Sequence, residues 1–273
     1  MQGYLRILRP LNCIMAGFAV LIGAKIGSPV FISQPVFLAI AAAFLICGAG
    51  NAINDYFDFE IDSVNNPKRP LPSGELTVDN AYTYSILLFL IGMLIAFFIN
   101  IPAFIIAIIN SLLLFFYAKT IKRVGGFTKN LTVSYLVASP FLFGGVAVSN
   151  YSVTLFLVFL AFLVNTSREV VKDIEDYEGD VKHLESLPVK FGFKTAAIIA
   201  STFMGASILL SIAPYKMRAF NSLYLVIILM ADALLVYSTI TLMNSPKEKA
   251  SKVQKLIKFA MLLALLAFFL GTF

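Results

Sequence analysis

Long apolar runs alternate along this chain with short polar linkers, and each run is close to the ~20 residues a helix needs to cross a hydrocarbon layer. Hydropathy predicts helices near 11–28, 36–63, 79–99, 102–121, 131–149, 153–178, 194–213, 220–243 and 255–272. The linkers carry the residues that end helices: Gly27 to Pro29, Pro67 to Gly74, Pro102, Gly125 and Gly126, Pro188, Pro214 and Pro246. The fold expected is therefore an all-α polytopic membrane protein with nine transmembrane helices. The linkers seldom exceed roughly twenty residues, about the length of a span, so one domain over 1–273 is expected. Arg6 and Arg9 before the first run imitate the start of a secretory signal peptide. No small-residue cleavage site leads into a soluble chain, and the first span is expected to be retained.

Composition agrees, since a 273-residue chain with 59% hydrophobic and 13% charged residues is not an ordinary soluble domain. In a soluble protein the net charge of +6 would suggest nucleic acid or another anionic partner. Here the placement of the charge matters more than its sum. With nine spans, the amino terminus and every second linker share one side, and eighteen of the 21 Lys and Arg fall there, leaving Lys25, Lys216 and Arg218 for the other. Positive loops are retained in the cytoplasm, so a cell-membrane, multi-pass protein with those linkers cytoplasmic is expected. Neither nucleic acid nor a protein partner is expected. Cys13 and Cys47 lie in apolar runs and His183 is the single histidine, which excludes a disulfide framework and a Cys/His zinc site.

The chemistry is concentrated in two stretches. Asn51 to Gly74, NAINDYFDFEIDSVNNPKRPLPSG, places four acids at the end of an apolar run. On a helix turning about 100° per residue, Asn51, Asn54, Asp55, Asp58 and Asp62 share one arc of about 100°. Further along, Asp173, Asp176 and Asp180 repeat the offsets of Asp55, Asp58 and Asp62, and Glu169 stands four before Asp173 as Asn51 stands before Asp55. Stacked carboxylates near a helix C-terminus are unfavourable unless a cation offsets them. Carboxylates with amides suit Mg²⁺, which keeps waters and bridges a few carboxylates to substrate phosphates. The two faces suggest an internally repeated architecture with one shared metal-diphosphate site, at which Asn51, Asn54, Lys122 and Arg123 are the candidate diphosphate ligands. The bland alternatives are a solvated helix end and an ion-pair network with Lys68 and Arg69.

NDYFDFEID, the following RPLPSG, the later KDIEDYEGD and nine spans together resemble the UbiA-type intramembrane prenyltransferases, over nearly the whole chain. The resemblance implies a UbiA-type bundle, a lateral opening to membrane lipids, and Mg²⁺ held by Asn54, Asp55, Asp58, Asp62, Asp173, Asp176 and Asp180, the six aspartates being the catalytic set. SREVVKDIEDYEGD followed by SLPVKFG is most similar to the members that alkylate a glycerol hydroxyl in archaeal ether-lipid synthesis. That implies geranylgeranyl diphosphate as donor and a lipid-like phosphate acceptor, geranylgeranylglyceryl phosphate. The acceptor's own phosphate needs further cations, for which Lys68, Arg69, Arg168, Lys172 and Lys190 are candidates. Many family members have a tyrosine and a lysine four apart after the fourth span, whereas Tyr117 and Lys122 are five apart here.

Phe57, Phe59, Phe115, Phe116 and Tyr117 lie near the expected mouth and would shield a developing prenyl cation, although aromatics in apolar helices are more often packing. Asp232 in the eighth span is either functional or neutral and hydrogen-bonded to a Ser or Thr. Asn110 and Asn165 are expected to face the bundle interior, Asn165 extending the second acidic face. Two other functions remain open: a family member acting on an aromatic, heme or chlorophyll-type acceptor, and a cation-coupled transporter with acids between repeated halves.

Overall fold

The computed structural model of the protein describes residues 2–181 and 185–272, with only the backbone described at Asp180. Among these residues every regular element is helical: α1 (Gln2–Ile7), α2 (Pro10–Gly27), α3 (Gln34–Phe57), α4 (Phe59–Asn65), α5 (Val78–Phe97), α6 (Ile101–Phe116), a π-helical turn (Tyr117–Ile121), α7 (Lys122–Val124), α8 (Gly126–Ala147), α9 (Thr154–Glu175), α10 (Tyr177–Asp180), α11 (Leu187–Ser211), α12 (Ala213–Lys216), α13 (Ser222–Asn244) and α14 (Pro246–Gly271). Nine helical segments of the described residues are long and apolar enough to cross a membrane, matching the nine hydropathy runs.

The expected helix 36–63 is interrupted at Asp58, whose φ of −94° and ψ of 3° end α3 and begin α4. The expected helix 153–178 is interrupted in the same way at Asp176, with φ −85° and ψ 3°. Hydropathy averages over such single-residue breaks. The ninth helix starts at Pro246 rather than near 255, because a proline at the first turn favours initiation and Ala250, Val253 and Ile257 bury one face of an otherwise charged segment. An apolar-run criterion registers only its membrane-crossing part. In α11 the left-handed Gly192 (φ 79°) breaks the first turn from the rest, so the regular helix starts beside the expected residue 194.

The chain divides into two compact units, Met1–Lys122 with Ser139–Tyr151, and Arg123–Ala138 with Ser152–Phe273. In the first, α3 packs against α2, α5 and α6. Along it Ala39, Ala42, Ile46, Ala49 and Ile53 recur at spacings of three and four and are all buried. Small residues at that period let helices approach closely where lipid provides no hydrophobic driving force. The closest approach in this unit joins α2 to the last half of α8. A Cβ on Gly23 would lie 2.0 Å from the Phe141 carbonyl oxygen, and one on Gly144 would lie 1.9 Å from that of Val20.

In the second unit α13 packs on α14 and α11, and α9 packs on α11 and α14. Phe220, Tyr224 and Phe268 form one ring cluster there. The Tyr224 hydroxyl donates to the Ser211 carbonyl at 2.6 Å, and the Ser211 hydroxyl donates to Asp232 Oδ2 at 2.7 Å. Asp232 thus has the serine partner that one of its two readings required. Asn110 also bonds inside its unit, donating to Ser139 Oγ at 3.0 Å.

Candidate active site

The acidic face of the first unit survives the break at Asp58, because the hydrogen bonds from Asp58 N to Asn54 O (3.0 Å) and from Asp62 N to Asp58 O (2.8 Å) carry the helical path through it. Asp55, Asp58 and Asp62 are all buried. A buried carboxylate needs a cationic or hydrogen-bonding partner, and each has one. Arg9 and Arg69 both reach Asp55 Oδ1, Arg69 also pairs with Asp62 Oδ2, and Lys122 pairs with Asp58 Oδ2. Asn66 Nδ2 donates to the other oxygen of Asp62 at 3.0 Å.

Local backbone delivers these partners. Arg9 stands between α1 and α2 with φ 50° and ψ 68°, a left-handed conformation uncommon outside glycine. Arg69 follows α4 in a turn closed by its N–H to Asn66 O at 3.0 Å. Lys122 follows the π-helical turn, where its N–H bonds back to Tyr117 O, five residues earlier. A π turn is an α-helix carrying one extra residue, and such turns recur at functional sites. The five-residue spacing of Tyr117 and Lys122 is thereby absorbed in the helix.

The Lys122 ammonium also lies 3.4 Å from Asn54 Oδ1. An amide oxygen and a carboxylate oxygen therefore converge on one positive charge, the all-oxygen donor set that a hard cation selects. Among the described residues no three Asp, Glu, His or Cys side chains form a complete cation cage. The pair of oxygens from Asn54 and Asp58 suits Mg²⁺, which is commonly bound through one or two carboxylates with substrate phosphates and waters completing the shell. Asn51 is turned elsewhere, its amide donating to the Leu8 carbonyl at 2.8 Å.

In the second unit Asp173 is buried and both its oxygens are engaged, Oδ1 by Lys129 at 2.7 Å and Oδ2 by Asn130 Nδ2 at 2.8 Å. Asn130 is fully buried and its own Oδ1 has no partner, an unsatisfied oxygen beside a carboxylate. Asn165 donates to Ser134 Oγ at 3.3 Å, and Ser134 in turn donates to the Asn130 carbonyl at 2.7 Å. The expected polar continuation of this face is present. Asp176 is exposed and lines an open cavity of about 420 Å³ with Glu175, Glu178 and Lys247. Asp180 ends α10, with its side chain outside the described residues, as are Lys182 and His183.

The remaining candidates disperse. Arg168 pairs with the neighbouring Glu169 and donates to Asn165 Oδ1, and Lys190 pairs with Glu185 at the surface. Lys172 and Arg123 are exposed. Lys68 and Arg69 line one cavity beside Asp55. Phe57, Phe115 and Phe116 form an edge-to-face chain with centroid separations of 5.8 and 5.7 Å, a packing role. Phe59 packs against the small cluster around Ile7 and Leu71.

Arg9, Lys129 and Asn130 escaped sequence reasoning as site residues. Each lies on the same expected side of the membrane as the acids, which was the one available signal. Their pairings depend on residues 43 to 46 positions away.

Residues 13–266 match the UbiA prenyltransferase family, and the chain belongs to it. It is 41% identical to the digeranylgeranylglyceryl phosphate synthase of Methanococcus aeolicus, covering 98% of this chain and 97% of that one. The synthase of the same name from Methanosphaera stadtmanae is 38% identical, with 99% of each chain covered. A solved structure of a digeranylgeranylglyceryl phosphate synthase is 41% identical, with a TM-score of 0.94 over 99% of this chain and 98% of that one. A UbiA homolog from Archaeoglobus fulgidus, bound to DMAPP and Mg²⁺, shares the fold at a TM-score of 0.73 and 19% identity, with 97% of this chain and 99% of that one covered. The expected resemblance and the nine-helix fold class both hold.

Proposed function

We propose that this chain transfers a geranylgeranyl group from geranylgeranyl diphosphate to the free glycerol hydroxyl of geranylgeranylglyceryl phosphate, forming the second ether bond of archaeal membrane lipids. The observation that carries this reading is the end-to-end likeness to digeranylgeranylglyceryl phosphate synthases at about 40% identity. The acidic faces supply the chemistry. Mg²⁺, when bound, acts as a Lewis acid toward the diphosphate leaving group.

Asp55, Asp58 and Asp62 with Asn54, and Asp173, Asp176 and Asp180, are the oxygen donors assigned to the metal. Lys122 carries a positive charge to the phosphate oxygens from the end of its π turn, and Arg123 is a further candidate diphosphate contact, whereas the Asn51 amide is turned to the Leu8 carbonyl. The allylic C1–O bond breaks with its electron pair leaving on the diphosphate, and the glycerol oxygen forms the new C–O bond. The hydroxyl proton passes to the departing diphosphate, so the chemistry requires no dedicated histidine base. The site opens to the cytoplasmic side, as expected from the bias of basic residues.

The test is a product assay with purified protein, Mg²⁺ and geranylgeranyl diphosphate, pairing the donor with geranylgeranylglyceryl phosphate, hydroxybenzoate or a naphthoate at equal concentration. The ether product is expected to dominate. Faster prenylation of an aromatic acceptor would overturn the acceptor assignment and leave the prenyl transfer intact.

A further inference from the structure

Beside Asp55 the first unit holds an open cavity of about 420 Å³, lined by Arg6, Arg9, Asn66, Lys68 and Arg69 among others. Four cationic side chains from two segments about sixty residues apart meet around it. Arg9 and Arg69 are paired with Asp55, and Arg69 also with Asp62. Arg6 pairs with Glu75 and donates through Nη2 to the Lys68 carbonyl at 2.9 Å. Three carboxylates therefore face four cations, and Lys68 extends the positive wall from an exposed position. A guanidinium has five N–H donors in a planar fork, so one carboxylate contact leaves it able to take a second anion.

The wall is stiff. Pro67 and Pro70 bracket Lys68 and Arg69, fixing φ on either side of them, and Arg9 is held in its left-handed conformation at the start of α2. The two segments precede the first membrane-length helix and follow the second, so the cavity lies where a lipid headgroup would sit. Its volume falls in the ordinary range for small-ligand sites, roughly 300–1,000 Å³. Forked donors in such a space suit a phosphate group.

We propose that this cavity binds the phosphate of the glycerol phosphate acceptor, with Arg6 and Lys68 as its specificity-determining cations. The proposal rests on the acceptor assigned above. It places the acceptor phosphate next to Asp55, and it gives that role to Arg6 and Lys68 rather than to Arg168, Lys172 and Lys190.

Among the described residues the ion pairs of Asp55, Asp58 and Asp62 are with Arg9, Arg69 and Lys122 rather than Arg6 or Lys68, so the test uses Arg6→Gln with Lys68→Gln. The KM for geranylgeranylglyceryl phosphate should rise about tenfold or more, as expected for lost charge-assisted hydrogen bonds, while kcat and the KM for geranylgeranyl diphosphate stay within about twofold. Arg6→Lys with Lys68 intact should recover most of the affinity. In a parallel thermal-shift arm, glycerol phosphate should stabilise the wild type in detergent and lose that effect in the double variant, with inorganic phosphate acting more weakly in the wild type. An unchanged acceptor KM, a raised diphosphate KM instead, or no stabilisation of the wild type by glycerol phosphate overturns the proposal. Ether product formed at unchanged acceptor KM sinks the phosphate site and leaves the function standing. Stabilisation by glycerol phosphate that depends on Arg6 and Lys68, without ether product, sinks the function and leaves the phosphate site standing.

Discussion

Asp58 in the first unit and Asp176 in the second occupy the same backbone setting, each closing one helix and opening the next with ψ at 3°. Their surroundings differ. Asp58 is buried against Lys122, whereas Asp176 is exposed beside Glu175 and Glu178. The residue three before each differs as well: Asp55 is held by two guanidiniums, and Asp173 by one ammonium and a buried amide. A repeated backbone thus carries one strongly cation-compensated face and one with acid left open to solvent. One and the same backbone break leaves its carboxylate either neutralised by a cation of the protein or open to solvent, according to what packs beside it.

The largest effects should come from removing the shared element of the two faces. Asp58→Ala and Asp176→Ala are each expected to lower turnover by about a thousandfold, the scale of losing an electrostatic stabiliser of a charged transition state. Chelation of Mg²⁺ from the wild type should do the same and reverse on readdition. The comparison predicts different stability costs. Asp58→Ala strands Lys122 in a half-buried position and should lower the thermal midpoint, while Asp176→Ala should leave it unchanged. Full activity in either variant would show that its face is structural.

The next effect sharpens the contrast at Asp173. Asn130→Ala removes the amide that holds Oδ2 and should cost roughly 1–3 kcal/mol of stability, the usual penalty for an unpaired buried polar group, with about a tenfold loss in rate. A stability loss without a rate loss would make Asn130 a packing residue alone.

A smaller effect separates the π turn from the lysine it carries. Deleting Thr120 should return the Tyr117–Ile121 segment to α-helix while keeping Lys122 near Asp58, so turnover should fall less than about tenfold. Lys122→Ala should cost about a hundredfold, on the scale of a lost charge-assisted contact. If the deletion is as damaging as the substitution, the turn itself sets the lysine's position.

The last measurement leaves activity untouched and reads orientation. Ser73 is exposed in the linker after α4, and the native cysteines are buried or half-buried within spans. A cysteine introduced by Ser73→Cys should resist an impermeant thiol reagent in sealed right-side-out vesicles. Ready labelling would overturn the orientation expected from the basic-residue bias.

Much of this was legible along the chain because membrane helices are selected by a local property. Twenty apolar residues in a row must satisfy their backbone hydrogen bonds internally, so hydropathy alone located nine helices. The first acidic motif was legible for a similar reason: Asp55, Asp58 and Asp62 share a buried face through the helical period, whereas in the second Asp173 is buried and Asp176 exposed. The breaks at Asp58 and Asp176 left no trace in the apolar pattern, because a one-residue change of φ and ψ alters neither composition nor period. The early start of α14 was hidden behind its lysines.

By itself the sequence determined the membrane class, the number of spans, the family and the first acidic face, all of which rest on contiguous residues or fixed helical offsets. Tertiary structure alone decided which cation answers which acid: Arg9 and Arg69 on Asp55, Lys122 on Asp58, Lys129 and Asn130 on Asp173. Five basic residues that looked equivalent along the chain were sorted in the same way, with Lys68 and Arg69 at a cavity, Arg168 and Lys190 each paired to a glutamate, and Lys172 exposed. A long flexible cation has no partner written in its own neighbourhood. Its energy depends on the charge and burial of whatever the fold brings within a few ångströms, and only the packed chain supplies that.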